Sequence, residues 1–470
     1  MKIIILKAFI IYFFIFTIQS TSSLEEDYVS QEYKQNIQLL SATTKQQRTS
    51  KVIVNKLKTR HYKKYKFDDN LSSDLFNSYL NNIDPAKRYF SEIDIRNFEK
   101  YRFALDDQIK KGNLQSAYEI FNAYRIISIN YLNDLINNLE QYINDLDFTI
   151  DEEIIIDSDK LSWQKNQKAL FERNRRILKN TVLSLKLEDQ SDDKIIETLS
   201  RRFKNQLTRI KQLNSDDVFQ LFMNSLSELY DPHTNYFSPR NSENFNINMR
   251  LSLEGIGALL KQDGEYVQVE RIINAGPADK QGELKPTDKI VSVSQNDIDF
   301  VEVVGWRLDE VVDLIRGKKG TTVTLGVISN SEANSNKVKK IKITRNTVKL
   351  EEQSAKKEIL DIKYKNKTHK IGVISIPTFY MDFEAYSKGK KDYKSTTRDV
   401  KNLIHDLTKE NVEAIIVDLR GNGGGSLPEV IQLTGLFVES GPVVQIRTSG
   451  GRIMPQNNYP NKNYYDKPLT

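Results

Sequence analysis

Apolar residues return at helical spacing from about Leu24 to Tyr230. Leu114, Ala117, Tyr118, Phe121, Tyr124, Tyr131, Leu135 and Tyr142 recur with Asn, Asp and Glu between them. That periodicity predicts a helix with one apolar stripe. Gly112-Asn113 reads as its start, and Ser191 and Asp192 precede a second helical run, Lys194 to Leu213. Asp84-Pro85 breaks the pattern and predicts a turn between helices. An aromatic stripe of this kind reads as a helix-packing core rather than a cofactor box, and nothing in the region demands chemistry.

The texture changes after Asp231-Pro232-His233. From Arg250 to about Ser329, short β-type runs (Tyr266–Ile273, Lys289–Val293, Thr321–Ile328) alternate with Gly and Pro. One helix interrupts them, Leu308 to Ile315, closed by Gly317. Short strands with one helix predict a small β-rich domain with a single core. Ser331–Lys340 is polar and reads as a loop or hairpin tip. From Ile371 the order becomes strand (Ile371–Ile376), helix (Thr397–Leu407), strand (Ala414–Leu419), helix (Leu427–Phe437) and strand (Val443–Arg447). That alternation predicts an α/β domain on a parallel sheet, covered on both faces. Pro468-Leu469 reads as the approach to a further strand, so this domain is expected to be incomplete at Thr470.

Two glycine-rich stretches are candidates for chemistry. In Leu253-Glu254-Gly255-Ile256-Gly257-Ala258, two glycines flanking one apolar residue let a turn present consecutive backbone N–H groups that can cradle a carboxylate. A plain tight turn fits the same spacing. A strand continuing from that loop beside the helix at Leu308 could pair with an added peptide strand and bury its last side chain. In Val417-Asp418-Leu419-Arg420-Gly421-Asn422-Gly423-Gly424-Gly425-Ser426, glycines between a buried strand and a helix make a backbone nest suited to a phosphate or to the oxyanion of a tetrahedral intermediate. There is no GxxxxGK[ST] loop, and the dinucleotide fingerprint fits imperfectly, with Ser426 in place of the third glycine. Ser426 lacks a Gly-x-Ser-x-Gly frame and reads as a helix cap rather than a nucleophile.

Composition narrows the chemistry further. The chain has 470 residues, room for roughly two to four domains. Lys+Arg (69) barely exceed Asp+Glu (63), the signs are interleaved and no long basic stripe is present, so nucleic acid is not expected as a partner. Cysteine is absent, which excludes disulfides, thiolate nucleophiles and Cys-ligated metals. His61, His233, His369 and His405 are scattered without an HxxxH pair, and no metal site is expected. At the N-terminus, Lys2 and Lys7 precede an apolar run, Ala8 to Ile18, followed by small polar residues Ser20 to Ser23. This is the order of a secretory signal peptide over residues 1–23. An uncleaved anchor is the alternative, but the run falls short of the ~20 residues that span a bilayer. Export to the periplasm or cell envelope is the expectation, with inner-membrane association if the signal is retained.

The β-rich domain, with Leu253–Ala258, Gly276-Pro277-Ala278 and Lys285–Ile290 at its loops, resembles a PDZ domain in the permuted arrangement of bacterial proteases. The whole order of signal peptide, helical domain, PDZ and Asp418-Leu419-Arg420-Gly421-Asn422-Gly423-Gly424 strand end resembles the tail-specific (C-terminal processing) peptidases. Matching stretches run from Asp84-Pro85 through Tyr89-Phe90, Asp231 to Arg240, Ser252 to Ala258, Val304 to Ile315, Ile376 to Tyr380 and Val417 to Gly425. The resemblance implies a multidomain α+β protein: a helical domain over 24–235, a PDZ domain over 239–330, and over 341–470 the first part of an α/β peptidase domain of the crotonase/ClpP type. It implies that Leu253, Gly255, Ile256 and Gly257 bind a C-terminal carboxylate, and that Leu308, Val312 and Ile315 line a pocket for the terminal apolar side chain. It implies a serine endopeptidase of the cell envelope, acting without cofactor on proteins with apolar C-terminal tails. Its nucleophile would be activated by lysine, with Gly424 or Gly425 giving one oxyanion-hole N–H. The family's serine and lysine fall beyond Thr470, so the chain as written is expected to bind without cutting. A non-catalytic tail-binding adaptor or holdase is the alternative.

Overall fold

The structure is a computed structural model that describes residues 37–157, 160–329, 337–458 and 464–470. The chain divides into two units, Met1–Tyr236 and Phe237–Thr470. The expected signal peptide lies outside the described residues, as does most of the polar stretch from Ser331.

The first unit is helical: α1 (Thr44–Arg60), α2 (Asp69–Ile83), α3 (Glu92–Phe98), α4 (Leu105–Lys111), α5 (Gln115–Asn137), α6 (Leu139–Asn144), α7 (Gln167–Lys186), α8 (Asp192–Lys211) and α9 (Ser215–Glu228). The predicted stripe on α5 is core: Leu114, Ala117, Tyr118 and Phe121 are buried among Phe76, Tyr79 and Phe222. Leu135 joins a second cluster with Val182 and Ile195, against which Tyr131 and Tyr142 pack. Gly112 closes α4 in the left-handed region (φ 74°) rather than opening α5, and Asn113 Oδ1 accepts the Gln115 N–H at 3.0 Å. Asp84 makes the expected turn physical. Its buried carboxylate accepts the N–H groups of Arg88, Tyr89 and Phe90 at 2.9, 2.8 and 3.0 Å, so the loop after α2 folds around one side chain.

The second unit opens with α10 (Pro239–Arg250). The β-rich domain follows: β1 (Ser252–Gly255), β2 (Ala258–Asp263), β3 (Tyr266–Ile272), α11 (Pro277–Gln281), β4 (Lys289–Ser294), β5 (Phe300–Glu302), α12 (Leu308–Ile315), β6 (Thr322–Ile328), β7 (Lys339–Thr344) and β8 (Asn346–Lys349). Its main sheet runs β2-β3-β4-β6-β7 with β5 on β4, and β1 pairs separately with β8. Val267, Val269, Ile290, Val311, Leu325 and Ile341 fill one core. Lys339 and Lys340 belong to β7, so the polar loop ends before the Lys340 expected from sequence.

The remaining residues form β9 (Lys356–Tyr364), β10 (Lys367–Ser375), α13 (Phe383–Ser387), α14 (Thr396–Lys409), β11 (Ala414–Asp418), α15 (Leu427–Thr434), β12 (Pro442–Arg447) and β13 (Ile453–Asn457). β10 and β11 pair in parallel, as expected. Two expectations need correction. β9, unread in the sequence, pairs antiparallel with β10. β12 leaves the parallel sheet and makes an antiparallel hairpin with β13, because the chain reverses within Thr448–Arg452 instead of crossing over. Pro468–Thr470 run alongside β11, with Ile415 N–H donating to Pro468 O at 3.0 Å and Val417 N–H to Thr470 O at 2.8 Å. α14 covers one sheet face by packing Val400, Ile404 and Leu407 on Ile374 and Ile415. Gly372 is required there, since a Cβ would lie 2.8 Å from Leu407 Cδ1.

Candidate tail-binding groove and glycine turn

Among the described residues β2 is the edge of its sheet, bonded only to β3, and α12 packs beside it. An edge strand presents a row of unpaired backbone groups to an incoming chain. The loop into β2 is Ile256-Gly257. Its carbonyls are spent, Ile256 O on Ala278 N–H at 2.7 Å and Gly257 O on Ile273 N–H at 2.9 Å. Neither N–H donates to a protein acceptor among the described residues. Gly257 sits at φ 78°, with Gly276 Cα 3.1 Å from where a Cβ would stand. Conformation and crowding both demand glycine there.

The residues expected at this site divide by role. Leu253 and Gly255 lie in β1, opposite Val348 and Asn346 of β8. The Ile256 side chain is buried in the core, so this residue offers its backbone rather than its side chain. On α12, Val311 and Ile315 are buried in that core and Leu308 packs at its margin, while Val312 is half-buried. Of the three pocket residues expected on α12, Leu308 and Val312, one helical turn apart, are therefore partly exposed, while Ile315 is buried. Arg240 on α10 pairs with Asp309 and Asp313 of α12.

A cleft of about 660 Å³ adjoins this region, lined by Leu253 and Glu254 of β1, Asp313 and Arg316 at the end of α12, Arg250 of α10, and Asp382, Glu384 and Lys388. Of the residues expected to bind the tail, Leu253 alone lines it.

The second candidate lies between β11 and α15. Gly421, Gly424 and Gly425 have φ of 73°, 100° and 143°, values that L side chains rarely adopt. At Gly425 a Cβ would stand 2.4 Å from Phe379 O, because Phe379 and Gly425 form a parallel β-bridge. Phe379 N–H donates to Gly424 O at 2.9 Å and Ser426 N–H to Phe379 O at 2.8 Å, with Thr378 Oγ1 adding a second bond to Gly424 O at 2.9 Å.

The two glycine N–H groups are not equivalent. Gly424 N–H donates to Asn422 Oδ1 at 2.7 Å, and Asn422 Nδ2 is anchored on Ile376 O at 2.8 Å. Gly425 N–H has no protein acceptor among the described residues. Asn422 stands in the quoted motif but was given no role from sequence, although an Asn between glycines is the residue type that bonds backbone two positions on. Ser426 is the N-cap of α15 and accepts Glu429 N–H; it is buried, with Oγ 3.2 Å from Met381 Sδ. At the strand end, the hydrogen bond from Arg420 holds the Asp418 carboxyl down to about 2, helped by the Arg420 N–H. Among the described residues no His/Cys/Asp/Glu group could hold a metal.

Comparison with known proteins places three families on the chain in order: tail specific protease N-terminal domain over residues 53–240, PDZ domain over 244–328 and peptidase family S41 over 370–470. The tail-specific protease of Haemophilus influenzae is 34% identical over 422 residues, covering 89% of this chain and 57% of the relative. A probable CtpA-like serine protease of Staphylococcus epidermidis is 30% identical over 235 residues, covering 50% of this chain and 41% of the relative. The chain thus spans little more than half the length of the former and less of the latter. Among solved structures, the PDZ domain of a carboxy-terminal protease from Vibrio cholerae in complex with peptide is 42% identical, covering 21% of this chain and 100% of that one, with a TM-score of 0.20.

Proposed function

The chain belongs to the tail-specific proteases, serine-type C-terminal processing enzymes that carry a PDZ domain, and on that premise we propose that it captures apolar C-terminal tails of proteins on β2 and presents them for hydrolysis. The observation that carries this reading is the pairing of an open sheet edge with the Ile256-Gly257 loop, whose two N–H groups have no protein acceptor among the described residues at the start of that edge. A peptide adding as a strand to β2 gains main-chain hydrogen bonds. Its terminal carboxylate takes the loop N–H groups as charge-assisted donors, and its last side chain meets Val312 and Leu308.

The family supplies the expectation of a serine nucleophile activated by lysine. The part of that step assigned to these residues is electrostatic: Gly425 N–H stabilises the oxyanion of the tetrahedral intermediate. Gly425 is preferred to Gly424 because Asn422 already holds the Gly424 N–H. Substrates are proteins with apolar C-termini, and the Lys2 to Ser23 pattern supports work in the cell envelope. Among the described residues no helix is long and apolar enough to cross a membrane.

Binding is tested by titrating the protein with a peptide ending in apolar residues and with its C-terminally amidated twin. The free carboxylate form should bind at least about tenfold more tightly, the worth of ~1.4 kcal/mol. Equal affinities would refute the carboxylate loop.

A further inference from the structure

Glu429, on the first turn of α15, is wholly buried, with 0% of its surface exposed. One carboxylate oxygen accepts Ser395 Oγ–H and Thr397 N–H, both at 2.8 Å. The other has no hydrogen-bond partner among the described residues. Ser395 is the N-cap of α14 and Thr397 lies in its first turn, so the carboxylate sits on the N-terminus of a neighbouring helix, where backbone N–H groups favour an anion. Thr397 Oγ1 also donates to Glu429 O at 3.0 Å.

These bonds close a ring that includes the glycine turn. α14 is tied onward by Thr396 N–H and Thr396 Oγ1, both donating to Tyr380 O at 3.1 and 2.9 Å. The residue before Tyr380 is Phe379, which grips Gly424 O and Ser426 N–H. Three segments, Phe379–Tyr380, Ser395–Thr397 and Gly424–Glu429, thus fix one another. The Glu429 side chain is the ionisable link, and stability alone does not explain it. A buried carboxylate with one orphaned oxygen is costly compared with an apolar residue of similar size.

We propose that Glu429 is a positioning residue for the oxyanion turn: it holds α15 against the N-terminus of α14 so that Gly425 N–H stays free and fixed in direction. The inference rests on the oxyanion role given to Gly425 above. Misplacing a catalytic group by about 1 Å can cost 10²-fold in rate, and the glycines have no side chains of their own to resist such a shift.

The test uses the native gene product, with turnover, KM, tail-peptide affinity and thermal midpoint measured for four variants. Glu429→Leu should lower kcat by about 10²-fold with KM and tail affinity close to the parent, and should lower the thermal midpoint, because Ser395 Oγ–H and Thr397 N–H lose their buried acceptor. Glu429→Asp, one methylene shorter, should lower kcat about tenfold by the same argument, and it decides the matter if the Leu variant does not fold. Glu429→Gln keeps an acceptor at the right reach and should restore most of the activity. Gly425→Ala controls the premise: if it turns over like the parent, the oxyanion assignment fails. If Gly425→Ala is inactive while Glu429→Asp and Glu429→Leu keep parental kcat, the Glu429 inference is wrong and the oxyanion assignment stands. A Gln variant as damaged as the Asp one would also overturn the acceptor argument.

Discussion

Gly425 and Asn422 show where single-residue reasoning succeeds and where it stops. The glycine run after an apolar strand announced a backbone nest, since only glycine adopts such dihedrals cheaply. Which N–H is left over depends on Asn422, whose side chain claims Gly424 at 2.7 Å; the tendency of Asn to bond backbone two positions on was the one available signal. Glu429 was invisible for a related reason: a Glu at the third position of a helix normally reads as exposed. Glu152 yields a residue-scale prediction. Hydrogen bonds from Arg175 and then Lys179 hold its carboxyl down to about 2, while Lys179 also donates to Ile150 O at 2.8 Å. A carboxyl whose folded pKa is depressed contributes stability above its unfolded pKa, about 4.3, and loses it as pH falls through the folded value. The docking of Asp147–Asp157 on α7 should therefore loosen between about pH 4.3 and 2. Glu152→Gln should remove that pH dependence. Amide exchange of this segment across the window checks it, and a parental acid profile in the Gln variant would refute the assignment.

At the scale of elements, long periodic helices and β-branched strands were readable, whereas partners and facing were not. α12 was placed at Leu308–Ile315, as the structure has it, while of the three pocket residues expected on it Ile315 is buried in the core. Val311 and Ile315 are buried in the core, while Leu308 and Val312 stay partly exposed, because a short helix in a small domain must spend one stripe on packing. Two substitutions separate the faces. Ile315→Ala opens a cavity and should cost about 2–5 kcal/mol of stability. Val312→Asp should leave the thermal midpoint nearly unchanged and weaken tail-peptide binding at least about tenfold, through lost apolar contact and repulsion of the carboxylate. Calorimetry and peptide titration on the same samples decide it; a destabilised Val312→Asp protein with parental affinity would reverse the two faces. β9 escaped notice because Lys356–Tyr364 alternates charge with apolar residues and pairs through a turn at Lys365-Asn366, both with positive φ. β12 was read as a third parallel strand because the βαβ rhythm favours one, whereas the Ser449-Gly450-Gly451 turn sends it into a hairpin.

For the whole molecule, the order of helical, β-rich and α/β regions followed from changes in texture along the chain, since hydrophobic period is a local property, while PDZ and peptidase came from the family resemblance. What covers each surface is not local. The β9-β10-β11 sheet has α14 on one face, while on β9 the residues Leu360, Ile362 and Tyr364, all on one side by strand alternation, are 36%, 44% and 60% exposed. β9 is also the edge of its sheet. Sheets containing parallel strands are ordinarily buried on both faces, and an apolar stripe beside an open edge is a surface that drives association. The 470-residue chain by itself should therefore associate with rising concentration. Ile362→Lys combined with Tyr364→Lys should suppress this by placing charge on the stripe while leaving β-propensity at the neighbouring positions intact. Sedimentation velocity over a concentration series measures the effect, with tail-peptide affinity as the check that the PDZ groove is untouched. If the double variant associates as strongly as the parent, the stripe is not the adhesive surface, and the apolar groove on α12 becomes the surface to substitute next.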